Sequence, residues 1–219
     1  AVHEQLKNVQ HVQATNRAFA GILANGSVVT WGAANWGGNS SALQKQLQKV
    51  QHVQATERAF AAILANGSVV TWGDERWGGN NSGVQEQLKN VQHVQAAERG
   101  FAAILADGSV VTWGHEPWGG DSSAVQQQLT HVQHVQATER AFAAIRVDGS
   151  VVTWGEAYYG GNSSTVQEQL KNVQHVQSTG SAFAAILADG SVVTWGDASS
   201  GGNSSAVQEK LRNVQHVQA

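Results

Sequence analysis

Residues 19–32 read FAGILANGSVVTWG, and this stretch decides the predicted fold. Two short apolar runs flank an Asn-Gly pair, which favours a two-residue hairpin turn because both central residues need positive φ. Such a turn at Asn25-Gly26 places Leu23 opposite Val28 and Ala20 opposite Trp31. Both faces of the predicted hairpin are then apolar, so both must be covered. A radial stack of hairpins provides that cover, whereas a lone hairpin does not.

The hairpin recurs with a period of 41 residues, which makes the chain a tandem repeat. The recurring aromatic residues are Phe19, Phe60, Phe101, Phe142 and Phe183, with Trp31, Trp72, Trp113, Trp154 and Trp195. The segment that ends in VQHVQ occurs six times, because residues 1–14 are repeated as residues 206–219. We therefore interpret residues 1–219 as one tandem-repeat domain with five 41-residue units and a duplicated 14-residue end segment. The surplus copy indicates a slice of a longer array, or a unit whose spare end pairs with another chain.

Each unit is predicted to contain three strands and one short helix. The segment NVQHVQAT at residues 8–15 has the pattern of a further strand before the hairpin. After the hairpin, Ser41 and Gln44 have the spacing of a capping box, in which the serine caps a helix and the glutamine reaches back to it. Leu43 and Leu47 then give a helix of about two turns one apolar edge. The predicted fold class is all-β, a propeller-like radial array of five three-stranded repeats with short connecting helices, as a closed five-bladed ring or an open arc.

The pattern V-x-x-V-x-A followed by F-A-A-I-L-A-[ND]-G-S-V-V-T-W-G resembles the RCC1-type repeat. Its short, three-stranded period is most similar to the BLIP-II-like inhibitor propellers. Two features depart from that family, which often has His at the position of Phe19 and commonly closes with seven blades. The resemblance implies a role in binding proteins, through nucleotide exchange on a small GTPase, chromatin docking or enzyme inhibition. No contact residue of those activities matches this sequence.

Composition limits the classes of partner. The formal net charge is −3, and charged residues make up 13% of the chain. Nucleic acid is therefore not an expected partner, because binding it needs a basic face that displaces counterions. No apolar run approaches the roughly 20 residues that cross a bilayer, so membrane insertion is not expected either. The chain has no Cys and no Met, and we interpret Ala1 as a processed or excised terminus. The absence of Cys leaves the compartment undecided.

No catalytic, metal or cofactor site is predicted. His11, His52, His93, His134, His175 and His216 recur at one place in the repeat. A ring of histidines could bind metal, but we interpret them as strand residues paired with neighbouring Gln, because metal ligands must converge on one point. The W-G tryptophans are interpreted as core wedges between blades, with a ligand pocket as the alternative. Glu57 and Arg58 are interpreted as part of a solvated turn.

The most variable part of the repeat is the loop between W-G and G-G, which reads AANW, DERW, HEPW, EAYY and DASS. Function can diverge there without harm to the scaffold, and large aromatic residues are typical of partner hot spots. The alternatives are stacking on sugars and a ring that covers the edge of its own blade. The predicted partner-binding residues are Trp36, Glu75, Arg76, Trp77, His115, Glu116, Trp118, Tyr158 and Tyr159.

Three functional hypotheses follow from these patterns. The first is a non-enzymatic protein-interaction scaffold, as a peripheral subunit of a larger assembly. The second is a multivalent carbohydrate-binding propeller, in which each loop and its GGNSS segment hold one sugar; the variation of the loops weighs against it. The third is a structural array element that self-associates through its terminal strands, because exposed strand edges pair readily.

Overall fold

The computed structural model describes residues 7–219 and contains five three-stranded antiparallel sheets, each formed by three strands consecutive in the chain. The first sheet, or blade, comprises β1 (Val9–Ala14), β2 (Ala18–Leu23) and β3 (Val28–Gly32). The others are β4 (Val50–Ala55), β5 (Ala59–Leu64) and β6 (Val69–Gly73); β7 (Val91–Ala96), β8 (Gly100–Leu105) and β9 (Val110–Gly114); β10 (Val132–Ala137), β11 (Ala141–Arg146) and β12 (Val151–Gly155); β13 (Val173–Ser178), β14 (Ala182–Leu187) and β15 (Val192–Gly196). The all-β prediction of five three-stranded repeats is confirmed.

The strands with the VQHVQ sequence form the inner side of the array. Each of β1, β4, β7 and β10 lies against the first strand of the next blade, so these strands converge as inner strands do in a propeller. The connections between strands are short 3-10 turns at Ala34–Trp36, Ser41–Leu43, Glu75–Trp77, Glu116–Trp118, Ser123–Gln128, Ala157–Tyr159, Ala198–Ser200 and Gln208–Lys210. Within residues 7–219, no helix has both the length and the apolar character needed to span a bilayer.

The hairpin turn differs from the prediction by one residue. Leu23 N–H donates to the Ser27 carbonyl at 2.9 Å, and Gly26 N–H donates to the Leu23 carbonyl at 2.8 Å. The loop therefore has three residues, and only Gly26 adopts positive φ, at 78°. The Asn25 side chain accepts hydrogen bonds from the Ser27 N–H and hydroxyl. These bonds form a local turn around the Asn25 side chain and do not require positive φ at Asn25. The predicted two-residue turn is wrong.

The corrected register decides which side chains share a face. Ile22 lies opposite Val28 and Phe19 opposite Trp31, not Leu23 opposite Val28. The Phe19 and Trp31 rings consequently stack on one face, with centroids 5.2 Å apart. We call this the front face of a blade, and we call the face with Ala18, Ala20, Ile22 and Val28 the back face. The same aromatic stack recurs in all five blades.

The core lies between blades, where each back face packs on the next front face. In the first interface, Ala18, Ala20, Ile22 and Val28 are buried against Phe60, Ala62, Val70 and Trp72. Three further clusters repeat this arrangement along the chain. Trp72, Trp113, Trp154 and Trp195 are all buried, which confirms for these four the prediction that the W-G tryptophans are core residues, while Trp31 is only half-buried.

A glycine loop completes each interface. Gly37 lies so close to the ring of Phe60 that an added Cβ would be 2.5 Å from its Cδ2 atom, and the Gly37 carbonyl accepts a hydrogen bond from Trp72 Nε1 at 3.0 Å. Only glycine fits here, since the residue also has a φ of 89°. In blade 1 the front face has no such loop among the described residues, and Phe19 is 43% exposed. The five blades therefore form an open arc.

In blade 1 the connecting segment protects the outer strand instead of forming the predicted two-turn helix, whereas in blade 3 a six-residue 3-10 helix, Ser123–Gln128, spans the predicted segment. Ser41 does not cap a helix: its backbone N–H donates to Asn39 Oδ1, and only a single 3-10 turn follows. Gln44 Nε2 donates to Ser40 Oγ at 2.9 Å and to the Val28 carbonyl of β3 at 3.2 Å. The capping-box prediction is wrong because the glutamine satisfies an unpaired strand edge, which would otherwise be free to pair with another chain.

The exposure of Phe19 leads to a stability prediction. Phe60 is fully buried between two blades, so we expect Phe60→Ala to cost about 3–5 kcal/mol. Phe19→Ala removes the same side chain from a face that the chain itself leaves uncovered, so in dilute solution it should cost less than about half of that. Chemical denaturation followed by tryptophan fluorescence measures both variants. Equal losses would show that a partner, absent from this structure, covers Phe19 in solution.

Candidate interaction surface

The variable loops all lie at one end of the blades, next to the turns that precede β2 and its equivalents. We call this end the loop rim. In blade 1, the loop forms a 3-10 turn in which Trp36 N–H donates to the Ala33 carbonyl at 3.0 Å. Thr15, in the neighbouring turn, donates its hydroxyl to the Trp36 carbonyl at 3.0 Å. Ala33 N–H donates to the Arg17 carbonyl at 2.9 Å, so the backbone of the variable loop is tied to its own blade at both ends.

The aromatic residues of the loops are joined by arginines into a continuous stack along the rim. The Arg58 guanidinium lies 4.1 Å from the ring centroid of Trp36 and 4.2 Å from that of Trp77. Arg99 lies 4.6 Å from Trp77 and 3.9 Å from Trp118. Each guanidinium thus lies between the aromatic residue of its own blade and that of the preceding blade, as in a cation–π interaction.

The same stack extends from blade 1 to blade 4. Arg140 lies 3.9 Å from the Trp118 ring and 4.6 Å from the Tyr159 ring, while Arg17 contacts Trp36 at 4.8 Å. We call this arrangement of four arginines and four aromatic rings the rim ladder. In blade 5, serines stand at the corresponding arginine and aromatic positions, Ser181 and Ser200. The arginines were not predicted from the sequence. Blade 5 lacks both the arginine and the aromatic ring, and this shared absence is the signal that could have revealed that the two residues interact.

Glutamates accompany the ladder and offset its positive charge. Glu57 Oε2 accepts a hydrogen bond from Trp77 Nε1 at 3.0 Å, and Glu98 lies 3.5 Å from Arg99 Nε and 3.8 Å from Arg140 Nε. Burial raises the pKa of Glu98, and the Glu57 carboxylate adds to this rise, while Arg99 and Arg140 oppose it. The prediction that Glu57 and Arg58 form only a solvated turn is wrong, because both belong to this packed array.

The predicted partner-binding residues divide into a packed group and an exposed group. Trp36 and Trp77 are 8% and 5% exposed, and Trp118, Tyr159 and His115 are half-buried. Glu75, Arg76, Glu116 and Tyr158 are exposed. The aromatic rings thus serve the packing of the rim, and the accessible surface comes mainly from the residues before them.

The two middle positions of every loop are exposed, and their sequence differs in every blade. These pairs are Ala34-Asn35, Glu75-Arg76, Glu116-Pro117, Ala157-Tyr158 and Ala198-Ser199. On one side of each pair, the first loop residue donates its backbone N–H to the turn before β2 or its equivalent. On the other side, the rim ladder holds the aromatic position in blades 1–4. The loop rim therefore presents five different dipeptides on one repeated backbone.

Tyr158 is the largest exposed group of this surface, and it is linked to the next blade. Its pKa is raised chiefly by a hydrogen bond with the Asp197 carboxylate. Hydrogen bonds from the Ser200 and Ser199 hydroxyls lower the pKa of Asp197 to about 2. The tyrosine thus lies at the junction of blades 4 and 5, where the rim ladder ends.

The histidines form a row along the inner strands. His52, His93 and His134 lie on consecutive blades, at the same position of β4, β7 and β10. Burial lowers the pKa of His93, and the positive charges of His52 and His134 lower it further. Among residues 7–219, no group of three or more metal-ligating side chains is close enough to hold an ion.

Comparison with known proteins identifies the architecture. No family model and no curated protein matches the chain. Among solved structures, yeast RCC1 (Prp20) bound to Kap60 aligns with a TM-score of 0.58 at 16% identity, over 89% of this chain and 57% of that one. Human WBSCR16 aligns with a TM-score of 0.57 at 16% identity, over 86% and 61%. The chain has an RCC1-like β-propeller fold.

The likeness extends to a plant receptor. The ectodomain of receptor kinase CR4 from Physcomitrella patens aligns with a TM-score of 0.54 at 16% identity, over 86% of this chain and 50% of that one. At these identities the likeness concerns the fold alone. The chain spans roughly half to three fifths of the length of these solved structures.

The rim ladder is testable by removing one guanidinium. Arg99 contacts two rings, so we expect Arg99→Met, which keeps much of the aliphatic packing, to destabilise the protein by about 1–2 kcal/mol. Arg17→Met is the matched control because Arg17 contacts one ring at the end of the ladder, and its cost should be smaller. Denaturation midpoints measure the difference, and an equal cost for both variants would contradict a cooperative ladder.

The histidine row predicts a pH dependence of stability. Because the pKa of His93 is lower in the folded protein than in the unfolded chain, the folded state binds fewer protons. Stability should be at its full value above about pH 6.5 and fall as the pH drops from there through the folded pKa. His93→Gln should flatten this part of the profile, as measured by thermal melts from neutral to mildly acidic pH. An unchanged slope in the variant would exclude His93 as its source.

Proposed function

We propose that the protein is a non-enzymatic interaction scaffold that binds a protein partner through the loop rim. One observation carries this proposal: the exposed dipeptide of each loop varies, while the residues on both sides of it are held by the repeated packing. A repeated backbone with variable exposed positions is typical of binding surfaces on rigid scaffolds. The rim offers Glu75, Arg76, Glu116 and Tyr158 as the groups that contact the partner.

The rigidity of the rim supports the same proposal. The loops contain ordered 3-10 turns, and the ladder fixes the rings that follow the exposed dipeptides. A surface that is ordered before binding loses little conformational entropy when a partner docks. Tyr and Arg are also the residue types most enriched at the energetic centres of protein interfaces. The partly packed Trp118, Tyr159 and His115 would contribute their exposed edges, and the buried Trp36 and Trp77 would support the surface from below.

Proteins of the same fold support the class of function. Prp20p from Saccharomyces cerevisiae has binding properties to Gsp1p and histones, and a second yeast structure shows RCC1 (Prp20) bound to Kap60. Those partners belong to those proteins. For this chain we infer only a protein partner, within a larger assembly, and we expect no nucleic acid because the net charge is −3.

A carbohydrate-binding role is the second candidate, and recurring outer grooves favour it. Grooves of 530, 510 and 420 Å³ lie between neighbouring blades and are lined by the segment after G-G, including Asp121, Ser122 and Gln126 in the largest. Their polar amide and hydroxyl groups could hydrogen-bond sugar hydroxyls. The repetition of the groove fits a multivalent ligand, whereas the loop rim differs in every blade.

The two candidates predict different effects of loop mutations. The rim variant combines Glu75→Ala, Arg76→Ala, Glu116→Ala and Tyr158→Ala, and the control combines Glu86→Ala, Lys89→Ala, Glu168→Ala and Lys171→Ala in the exposed connecting segments. Affinity capture with quantitative mass spectrometry should recover the same partner with wild type and control. The rim variant should recover at least about tenfold less, as expected for the loss of hot-spot residues.

The outcome that would overturn the scaffold proposal is full recovery by the rim variant. A glycan array performed on the same three proteins tests the second candidate. Sugar binding that is retained in the rim variant, and lost in Gln126→Ala, would assign the function to the grooves.

A further inference from the structure

The two end faces of the arc are the separated halves of one repeated interface. The contact between a front face and the glycine loop of the preceding blade occurs four times inside the chain, at Gly37, Gly78, Gly119 and Gly160. At each, a tryptophan of the next blade donates its indole N–H to the glycine carbonyl. Blade 1 has the aromatic front face of this contact, with its indole N–H donor, and blade 5 has the glycine loop.

The first half is the front face of blade 1. Phe19 and Trp31 stack as the other four pairs do, at 5.2 Å, but Phe19 is 43% exposed whereas the other four phenylalanines are at most 1% exposed. Trp31 is only half-buried, and the described residues offer its indole N–H no glycine carbonyl. The face is thus preformed but uncovered.

The second half is the loop of blade 5. Gly201 has a φ of 102°, close to the values of its four counterparts. A Cβ at Gly201 would meet nothing within 4 Å, although at the other four positions it would clash with a phenylalanine. The turns that precede the middle strands are also linked from blade to blade in chain order. Glu98 N–H donates to the Glu139 carbonyl, and Glu139 N–H donates to the Gly180 carbonyl.

The strand that a further blade would need is also in place. Val214 N–H donates to the Gly190 carbonyl at 2.9 Å, as Val173 N–H does to Gly149 at the start of β13. Residues 214–219 therefore follow the path of a next inner strand, and no hairpin within residues 7–219 pairs with them. Their sequence, VQHVQA, is identical to that of β1.

We propose that the protein binds a second copy of itself head to tail, with residues 214–219 of one copy replacing β1 of the next. They pair with β2 of that copy in the register of β1, because the two six-residue sequences are the same. Gly201 then covers Phe19, and the Gly201 carbonyl accepts the hydrogen bond from Trp31 Nε1. The exchange breaks the pairing of β1 with β2 and forms an identical pairing of residues 214–219 with β2. The burial of the front face of blade 1 therefore drives association. Such a heterologous contact builds chains or rings of copies, not an isologous pair. This inference uses the end faces and is independent of the loop rim.

Mass measurement of the 219-residue chain tests the proposal. We expect multi-angle light scattering to give concentration-dependent masses at multiples of 23.1 kDa, with a dissociation constant below about 100 µM. Phe19→Glu should abolish these species. Val147→Glu is the matched control because Val147 is 63% exposed away from both end faces, and it should not change them.

Two deletions identify the strand exchange. A variant that lacks residues 1–14 has lost the competing strand, so it should associate at least about tenfold more tightly. A variant that lacks residues 212–219 should stay monomeric. Circular dichroism confirms that both variants keep their β-structure.

Cysteine pairing determines the polarity of the contact, since the chain has no native Cys. By the repeat, Gly180 of one copy meets Asn16 of the next. A mixture of Asn16→Cys and Gly180→Cys chains should form mixed disulfide-linked dimers on mild oxidation, whereas each variant alone should not. The double variant Asn16→Cys, Glu57→Cys is the positive control, because Asn16 N–H donates to the Glu57 carbonyl at 3.0 Å within one chain.

Three results would overturn the proposal. They are a strict monomer at all concentrations, association that Phe19→Glu leaves intact, and links that form between like cysteine positions only. Equal association with and without residues 1–14 would also exclude the exchange.

Discussion

The contact between a glycine loop and the next aromatic pair is the constraint on which the structure depends. The phenylalanine ring fits only because the glycine has no Cβ, and the tryptophan indole is satisfied only by the carbonyl of that same glycine. A blade cannot bury its own aromatic stack, so each one is completed by its predecessor. Stability in such an array is a sum of nearest-neighbour terms, and the cost of a substitution depends on whether its blade has a predecessor.

The period, the strands and the buried tryptophans could be predicted from the sequence, because they depend on patterns within a single unit. The register could not. A loop of two or three residues can carry the same Asn-Gly pair, and the choice was decided by hydrogen bonds from Ser27 to the Asn25 side chain. That single residue of register determines whether Phe19 and Trp31 stack on one face or lie on opposite faces. The capping box failed for a tertiary reason, since Gln44 is bound to a strand carbonyl 16 positions away.

The candidate site was only partly predictable, because the rim ladder is an interaction between units. Sequence inspection within one repeat places Arg58 in a polar turn and Trp36 in a separate loop. The two meet because the stacking of blades brings the turn of one unit over the loop of the preceding unit. The four residues of each variable loop therefore have different roles. The aromatic position stabilises the rim, and the two positions before it are free to vary.

Each type of inter-blade contact keeps one direction along the chain. Indole N–H groups donate backwards to the preceding glycine, turn N–H groups donate forwards to the following carbonyl, and each arginine reaches back to the preceding ring. The two ends of the arc are therefore chemically different, so the proposed contact of one end with the other end of a second copy is heterologous. At that junction the glycine and indole contacts are available, but Ser200 offers no ring to Arg17 of the next copy. The contact between copies therefore has the packing of an inter-blade contact but lacks the cation–π interaction, which makes it weaker than the contacts between blades of one chain. We expect the copies to separate before the blades of one chain do.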